Sequence, residues 1–265
     1  MCAEFFIMKI ALCNIPIHWE QFDKNLILSE TVLKSVFNNN SGVELLLLPE
    51  FFTYGFSVDN KNAESIDGNS LKWLKYSSSF YGSAIYASVP VKDGLNFYNR
   101  GYFVRPDGTC EVYDKRHLFS YGGEDIIFTP GSRRVIVNYH GWKILLQICY
   151  DLRFPVWSRN VNLEYDLIIN IASWPSKRAN VINPLVRSRA IENQSFYAFL
   201  NRSGSDPYSD YNGESLIIKP DGSSLESIQE NNKDYYSIYS LNIDELLSYR
   251  SKFQFWRDSD NFKII

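Results

Sequence analysis

A chain of 265 residues that is 45% hydrophobic and 16% aromatic carries enough apolar side chain for a large buried core, which excludes intrinsic disorder. A formal net charge of -3 and a pI of about 5.7, with Lys and Arg scattered rather than clustered, leave no basic face for nucleic acid or an anionic membrane, so a small-molecule partner is expected. The early apolar stretch 5–17 is interrupted by Lys9, Asn14 and Pro16; it is too short to span a bilayer and lacks the charged start and cleavage site of a signal peptide, so a cytoplasmic protein is expected.

In chain order, residues 8–15 read as a first strand, and 21–37 carry Phe22, Leu26, Val32, Leu33 and Val36 at helical spacing. Residues 43–48 are a continuous apolar run of strand length that meets Pro49 and Glu50, followed by the aromatic group Phe51, Phe52, Tyr54 and Phe56. A helix over 71–80 and a strand over 83–90 come next. A hairpin over 99–115 turns at Arg105-Pro-Asp-Gly108, where Pro presets φ and Gly accepts a positive one, and ends at Lys115. A polar loop over 116–133 leads to strands at 135–139 and 143–149, the second of which stops at Cys149.

The order then repeats. Residues 165–173 form an apolar strand ending in Ser173, Trp174 and Pro175; 184–194 are helical in pattern, 196–201 a strand, and 213–225 a second hairpin through Lys219-Pro-Asp-Gly222. The two hairpins align with a two-residue slip before the turn, which indicates an internal duplication. A repeated β-α-β-α-β-β unit makes two similar mixed sheets, each with helices on one face and an apolar face to cover. Packing those faces together predicts an α/β fold of four layers, αββα.

The cysteines at 2, 13, 110 and 149 are far apart and form no Cys-x-x-Cys or zinc-spaced Cys/His pair, so free thiols and no metal are expected. Three groups stand just past strand ends in distant parts of the chain: Glu50, Lys115 and Cys149. Singly, a glutamate after a strand is ordinarily a solvated turn residue, a lysine in Tyr-Asp-Lys-Arg-His is surface charge, and a free cysteine is a small hydrophobe. Jointly they make a chemical unit, because a thiol needs a base, a carboxylate in an apolar pocket is tuned towards that task, and a cation stabilises a developing oxyanion. His18, His117 and His140 offer little for a cysteine-protease arrangement, since no protease signature surrounds Cys149.

The strings Leu-Pro-Glu50 with Phe-Phe-Thr-Tyr-Gly-Phe, Tyr-Asp-Lys115-Arg-His-Leu-Phe, Cys149-Tyr-Asp-Leu-Arg-Phe-Pro, Asn170-Ile-Ala-Ser-Trp-Pro and Arg189-Ala-Ile-Glu-Asn-Gln, in that order, resemble the nitrilase superfamily of carbon-nitrogen hydrolases, most closely its omega-amidase branch. The resemblance covers nearly the whole chain, so residues 1–265 are expected to be a single domain. It implies the four-layer αββα fold, homodimers, no metal or organic cofactor, and hydrolysis of the ω-amide of small 2-oxo dicarboxylates such as 2-oxoglutaramate or 2-oxosuccinamate. It also implies Cys149 as nucleophile, Glu50 as general base, Lys115 and the backbone N–H of Tyr150 as oxyanion donors, and a second glutamate after the lysine motif, for which Glu124 is the candidate beside Asp125.

Arg153, four residues past the nucleophile, is the expected partner of the substrate carboxylate, with a local salt bridge to Asp151 or the Glu50 loop as its alternative and Arg187 and Arg189 as lesser candidates. Trp174, Phe119 and Tyr54 complete the expected substrate-binding set. The alternatives to an omega-amidase are an N-carbamoyl-amino-acid amidohydrolase, a deaminated-glutathione amidase, a true nitrilase, or a catalytically silent binding module, the last of which predicts a damaged triad.

Overall fold

The computed structural model describes residues 7–260 and Phe262; Cys2 lies outside them. The first half runs β1 (Ile7–Cys13), α1 (Phe22–Asn39), β2 (Leu45–Leu47), the two-residue β3 (Glu64–Ser65), α2 (Asn69–Tyr81), β4 (Ala84–Asp93), β5 (Asn96–Val104) and β6 (Cys110–Asp114). A one-turn helix α3 (Glu124–Ile127) leads to β7 (Ile136–Tyr139), β8 (Trp142–Ile148), the short α4 (Pro155–Ser158), β9 (Leu167–Ala172), α5 (Ile182–Asn193) and β10 (Phe196–Asn201). A small hairpin of β11 (Ser203–Ser205) and β12 (Asp210–Asn212) precedes β13 (Ser215–Ile218) and β14 (Ser224–Leu225); β15 (Gln229–Asn231), β16 (Tyr236–Asn242) and α6 (Ile243–Lys252) follow.

The duplication is present strand for strand. In one sheet β1, β2 and β4 are parallel neighbours, with β5 and β6 added antiparallel beyond β4. In the other, β8, β9 and β10 are parallel neighbours, with β13 and β14 added antiparallel beyond β10. Each first strand also carries an antiparallel neighbour on its free side, β16 on β1 and β7 on β8. The two Pro-Asp-Gly turns close alike: Gly108 N–H donates to Arg105 O and Gly222 N–H to Lys219 O, both at 2.9 Å, with glycine φ of 83° and 86°. Only glycine holds that left-handed conformation without strain.

Alternation along the strands assigns the layers. Met8, Ile10 and Leu12 of β1, with Tyr86 and Phe103, join Ile144 and Leu146 of β8 in one cluster between the sheets. The opposite side of the first sheet, Ala11, Cys13, Leu46 and Ile85, packs against Val32, Leu33 and Val36 of α1 and Leu74 of α2. Each of these fully buried aliphatic side chains contributes on the order of 1.5–3 kcal/mol. On the second sheet Ile182, Val186 and Ala190 of α5 do the same, so the order is α-β-β-α. The inner layer also holds a polar tie between sheets, the Tyr86 hydroxyl donating to Gln147 O at 3.1 Å.

Several elements go beyond the sequence expectation. The loop 116–133 contains α3, which begins at Glu124. The short β3 and α4, the β11–β12 hairpin, and β15, β16 and α6 after β14 are not foreshadowed by the apolar pattern. β16 pairs with all of β1 and carries β15 on its other side as the edge strand of the first sheet, and α6 is tied to the second sheet through Arg250, whose guanidinium meets Asp166 at 2.7 Å and donates to the Tyr165 and Gln194 carbonyls.

Candidate active site

Glu50 and Cys149 follow parallel strands of different sheets, β2 and β8, and Lys115 follows β6, the last strand of the first sheet's hairpin. Packing the sheets face to face brings these three strand ends to one place. Lys115 Nζ lies 2.8 Å from Glu50 Oε1 and 2.8 and 3.0 Å from the two oxygens of Glu124, and all three side chains are fully buried. Asn99, at the start of the hairpin, bridges the same carboxylates by donating from Nδ2 to Glu50 Oε1 and Glu124 Oε1, both at 2.9 Å. The remaining oxygens are also occupied: Glu50 Oε2 accepts Ser173 N–H at 2.9 Å, and Glu124 Oε2 accepts Phe119 N–H at 2.6 Å. Asp125, the competing carboxylate, is exposed.

The backbone holds Lys115 in register on both sides. Its N–H donates to Asn99 O and its carbonyl accepts from Gly131, each at 2.9 Å. A Cβ at Gly131 would sit 2.0 Å from the Asp114 carbonyl oxygen, so the chain can pass there only as glycine.

Cys149 is the first residue of a 3-10 turn (Cys149–Arg153) and has φ of +45°, a left-handed conformation that costs a residue with a Cβ about 1–3 kcal/mol. The turn is stapled by Asp151, which is fully buried: Oδ2 accepts Ile148 N–H at 3.0 Å and the Tyr113 hydroxyl at 2.7 Å, and Oδ1 accepts His117 N–H at 3.1 Å and faces His117 Nδ1 at 2.8 Å. Asp151 thereby ties the cysteine turn to the segment that carries Lys115. Tyr150 occupies the second position of the turn, where a backbone N–H has no partner within the helix.

Electrostatics follow from burial. Desolvation pushes the Cys149 thiol well above its ordinary range and the neighbouring Glu50 carboxylate pushes it further, while Lys115 opposes both. Burial alone would depress the Lys115 ammonium, but Glu124 and Glu50 outweigh it and hold the cation above its usual value. The Glu124 carboxyl is raised by burial and by Glu50, against the pull of Lys115. These surroundings therefore favour the neutral Cys149 thiol and the charged Lys115 ammonium.

Cys149 opens into a cavity of about 720 Å³. Tyr150, Arg153, Trp174 and Phe119 line it as expected. Tyr54 does not: its ring lies 5.4 Å from Phe22 of α1, because the turn after Glu50 sends Phe56 rather than Tyr54 to the cavity wall. Arg153 makes no ion pair among the described residues; it lies over the Trp174 ring at 5.0 Å, and the Asp151 oxygens are already taken. Arg189 is buried against Leu152 O and Glu192, and Arg187 donates to Gly222 O, so neither faces the cavity. Sequence reasoning missed Asn99, for which no local signal exists, and the paired anchor Asp151–His117, which was visible as residues two positions past Cys149 and Lys115. It also missed Arg178 on the cavity wall.

Among the described residues no cluster of His, Cys, Asp or Glu is placed to hold a metal ion, and Cys13, Cys110 and Cys149 are free thiols. No helix among them is long and apolar enough to cross a membrane.

Comparison with known proteins agrees with this geometry. The family model for carbon-nitrogen hydrolases matches residues 9–251. The chain is 36% identical to the omega-amidase YafV of Escherichia coli K12 over 97% of its length and 98% of that protein's. It is 35% identical to the 2-oxoglutaramate amidase of Bacillus subtilis over 73% of this chain and 78% of that one. The crystal structure of XC1258 from Xanthomonas campestris, a CN-hydrolase superfamily protein with an arsenic adduct in its active site, superposes with a TM-score of 0.91 at 33% identity, covering 97% of this chain and 99% of that one. With its layers, its buried Glu50–Lys115–Glu124 network and its cysteine at the strand end all in place, the chain belongs to the carbon-nitrogen hydrolase family and is an amide hydrolase.

Proposed function

We propose that the protein hydrolyses the ω-amide of small 2-oxo dicarboxylates, 2-oxoglutaramate foremost, to the 2-oxo acid and ammonia. The observation that carries this reading is the Cys149 thiol, beside the buried Glu50–Lys115 pair, opening into a cavity whose wall bears the guanidinium of Arg153, unpaired among the described residues. Full-length similarity to omega-amidases supports it.

In this reading Cys149 Sγ attacks the amide carbon as its proton passes to Glu50, and the resulting oxyanion is held by the Lys115 ammonium and the Tyr150 N–H. Glu50 then protonates the departing nitrogen, which leaves as ammonia and a thioester on Cys149. Water gives a proton to Glu50 and attacks the thioester; collapse of that intermediate releases the 2-oxo acid and returns the proton to sulfur. Glu124 holds Lys115 in position through two hydrogen bonds and keeps it charged. Arg153 receives the substrate carboxylate, and Trp174 and Phe119 form the walls that orient it.

Residues 1–265 act as a single domain in the cytoplasm, without metal or organic cofactor. The protein works as a homodimer; support comes from the side chains of Val156 and Phe255, 56% and 59% exposed, which share a surface groove with Pro155 and Phe262 and with the charged Arg159, Glu192, Asp258 and Asp260. Ammonia release by purified protein from a panel of 2-oxoglutaramate, 2-oxosuccinamate, carbamoyl amino acids and nitriles tests the reading. Highest kcat/KM on the two oxo-amides is expected; preference for a carbamoyl amino acid or a nitrile would overturn it.

A further inference from the structure

We propose that Arg178 is a specificity-determining residue that grips the substrate carboxylate together with Arg153, so that the charged end of the substrate is held by two guanidiniums arriving from different strand ends. The inference rests on the oxo-amide reading above and names how that site selects its substrate.

Arg178 lies in the 3-10 turn Ser176–Val181 that follows β9, and its side chain lines the same cavity as Cys149 and Arg153. Its guanidinium is placed over the Phe119 ring at 5.0 Å, as that of Arg153 is over Trp174 at 5.0 Å. Among the described residues neither guanidinium meets a carboxylate or a carbonyl. Several arginines away from the cavity are anchored instead: Arg100 is paired with Asp93 and Asp114, and Arg250 with Asp166. A ring fixes the plane of a guanidinium and shields one face while leaving its edge N–H groups unspent, which suits two-pronged recognition of a carboxylate.

Trp174 sets the two arginines relative to each other. Its ring faces Arg153, and its Nε1–H donates to the Arg178 carbonyl at 2.9 Å. The same segment is fastened to the chemistry, since Ser173 N–H is on Glu50 and Phe119 N–H, beneath Arg178, is on Glu124. The acidic groups on the cavity wall each have a cation nearby: Glu20 and Asp59 share Lys61 at 3.1 and 3.0 Å, and Asp206 lies 3.6 Å from Arg202 Nη1 and accepts the Tyr211 hydroxyl at 2.7 Å. The cations left without such a partner on the wall, among the described residues, are Arg153, Arg178 and the neighbouring Lys177, so an anionic group is drawn to that side, leaving the other end of a short chain over Cys149.

The test compares Arg178→Gln and Arg178→Lys with the unaltered enzyme on 2-oxoglutaramate and on butyramide, a neutral linear amide. Loss of hydrogen bonds to a charged group corresponds to a rise in KM of about 10- to 100-fold for 2-oxoglutaramate in the Gln variant, with kcat within about threefold. The Lys variant, a cation without the fork, should fall between. Butyramide kcat/KM should stay within about twofold, because that substrate has no carboxylate to lose. If the unaltered enzyme prefers 2-oxoglutaramate and Arg178→Gln leaves its KM unchanged, or if both substrates lose equally, the assignment of Arg178 is wrong while the oxo-amide reading stands. If the unaltered enzyme shows no preference for the charged amide, that reading itself fails. A melting curve of Arg178→Gln superimposing on the parent is expected and separates recognition from folding.

Discussion

Replacing Lys115 by Met removes a cation that touches two buried carboxylates at once. Glu50 Oε1 and both oxygens of Glu124 lie within 3.0 Å of its Nζ, and all three groups have no exposure to water. Breaking such a pair costs roughly 3–5 kcal/mol, because the partner is left charged and undercompensated. For a chain of this size that corresponds to a fall in Tm of roughly 6–20 °C at pH 7. The loss should depend on pH. Burial and Glu50 already raise the Glu124 carboxyl, and Lys115 opposes them together with the Asn99 hydrogen bond, so without the lysine the folded-state value moves higher still. A group whose folded pKa is raised contributes stability that is present below the unfolded carboxylate value of about 4.3 and is lost as pH rises through the folded value. The stability of Lys115→Met should thus fall more steeply than that of the parent as pH rises above about 4.3. Adding Glu124→Gln removes one of the opposed charges and should recover part of the Tm, while turnover stays at least about 10²-fold down for want of the oxyanion cation. Thermal melts of the three proteins across that pH range, with single-turnover rates, check both halves. A Lys115→Met protein with the parent Tm at every pH would refute the buried-pair argument, and one with the parent rate would remove Lys115 from the chemistry.

Cys149→Ala should abolish ammonia release with little change in fold, and Cys149→Gly should be the more stable of the two by about 1 kcal/mol in chemical denaturation, because glycine relieves the left-handed backbone at that position; equal stabilities would mean the turn stores no strain there. Arg153→Ala should raise KM for 2-oxoglutaramate about tenfold or more and leave butyramide unaffected, by the loss of a charged hydrogen bond; loss on both would make it a structural residue. Asp151→Asn, which keeps the shape but places a donor among N–H and O–H donors, should lower both Tm and kcat with KM little changed, since the Cys149 turn and the His117 segment lose a common anchor. Arg250→Met should lower Tm while sparing kcat and KM, because the Asp166 pair lies at the α6 seam and not at the cavity; altered kinetics would show that α6 communicates with the site.

Much of the molecule was legible because its determinants are local. Apolar runs of strand length, the helical spacing in α1 and the two Pro-Asp-Gly turns follow from side-chain period and backbone preference over a few residues, and their repetition in order dictated two like sheets. The candidate residues Glu50, Lys115 and Cys149 were legible for a related reason, since each stands just past a strand end, Glu50 and Cys149 at the close of apolar runs. The C-terminal pairing of β16 with β1 was not, because that contact joins positions more than two hundred residues apart and no local preference specifies it. A cue for α6 did exist in Asn242, whose side chain caps Asp244 N–H at 2.8 Å, and in Arg250 and Lys252 at the opposite end of the helix.

Only tertiary structure decided which side chains share a volume. It selected Glu124 over Asp125 by burying one and exposing the other, recruited Asn99 between two carboxylates, turned Tyr54 towards α1 and away from the cavity, and freed Arg153 and Arg178 while consuming Arg187 and Arg189 elsewhere. The physical reason is that a strand end specifies where a residue begins, but the direction of its side chain and the charge it meets depend on how two sheets pack across some 10 Å of core, and that is set by the sum of contacts rather than by any stretch of sequence.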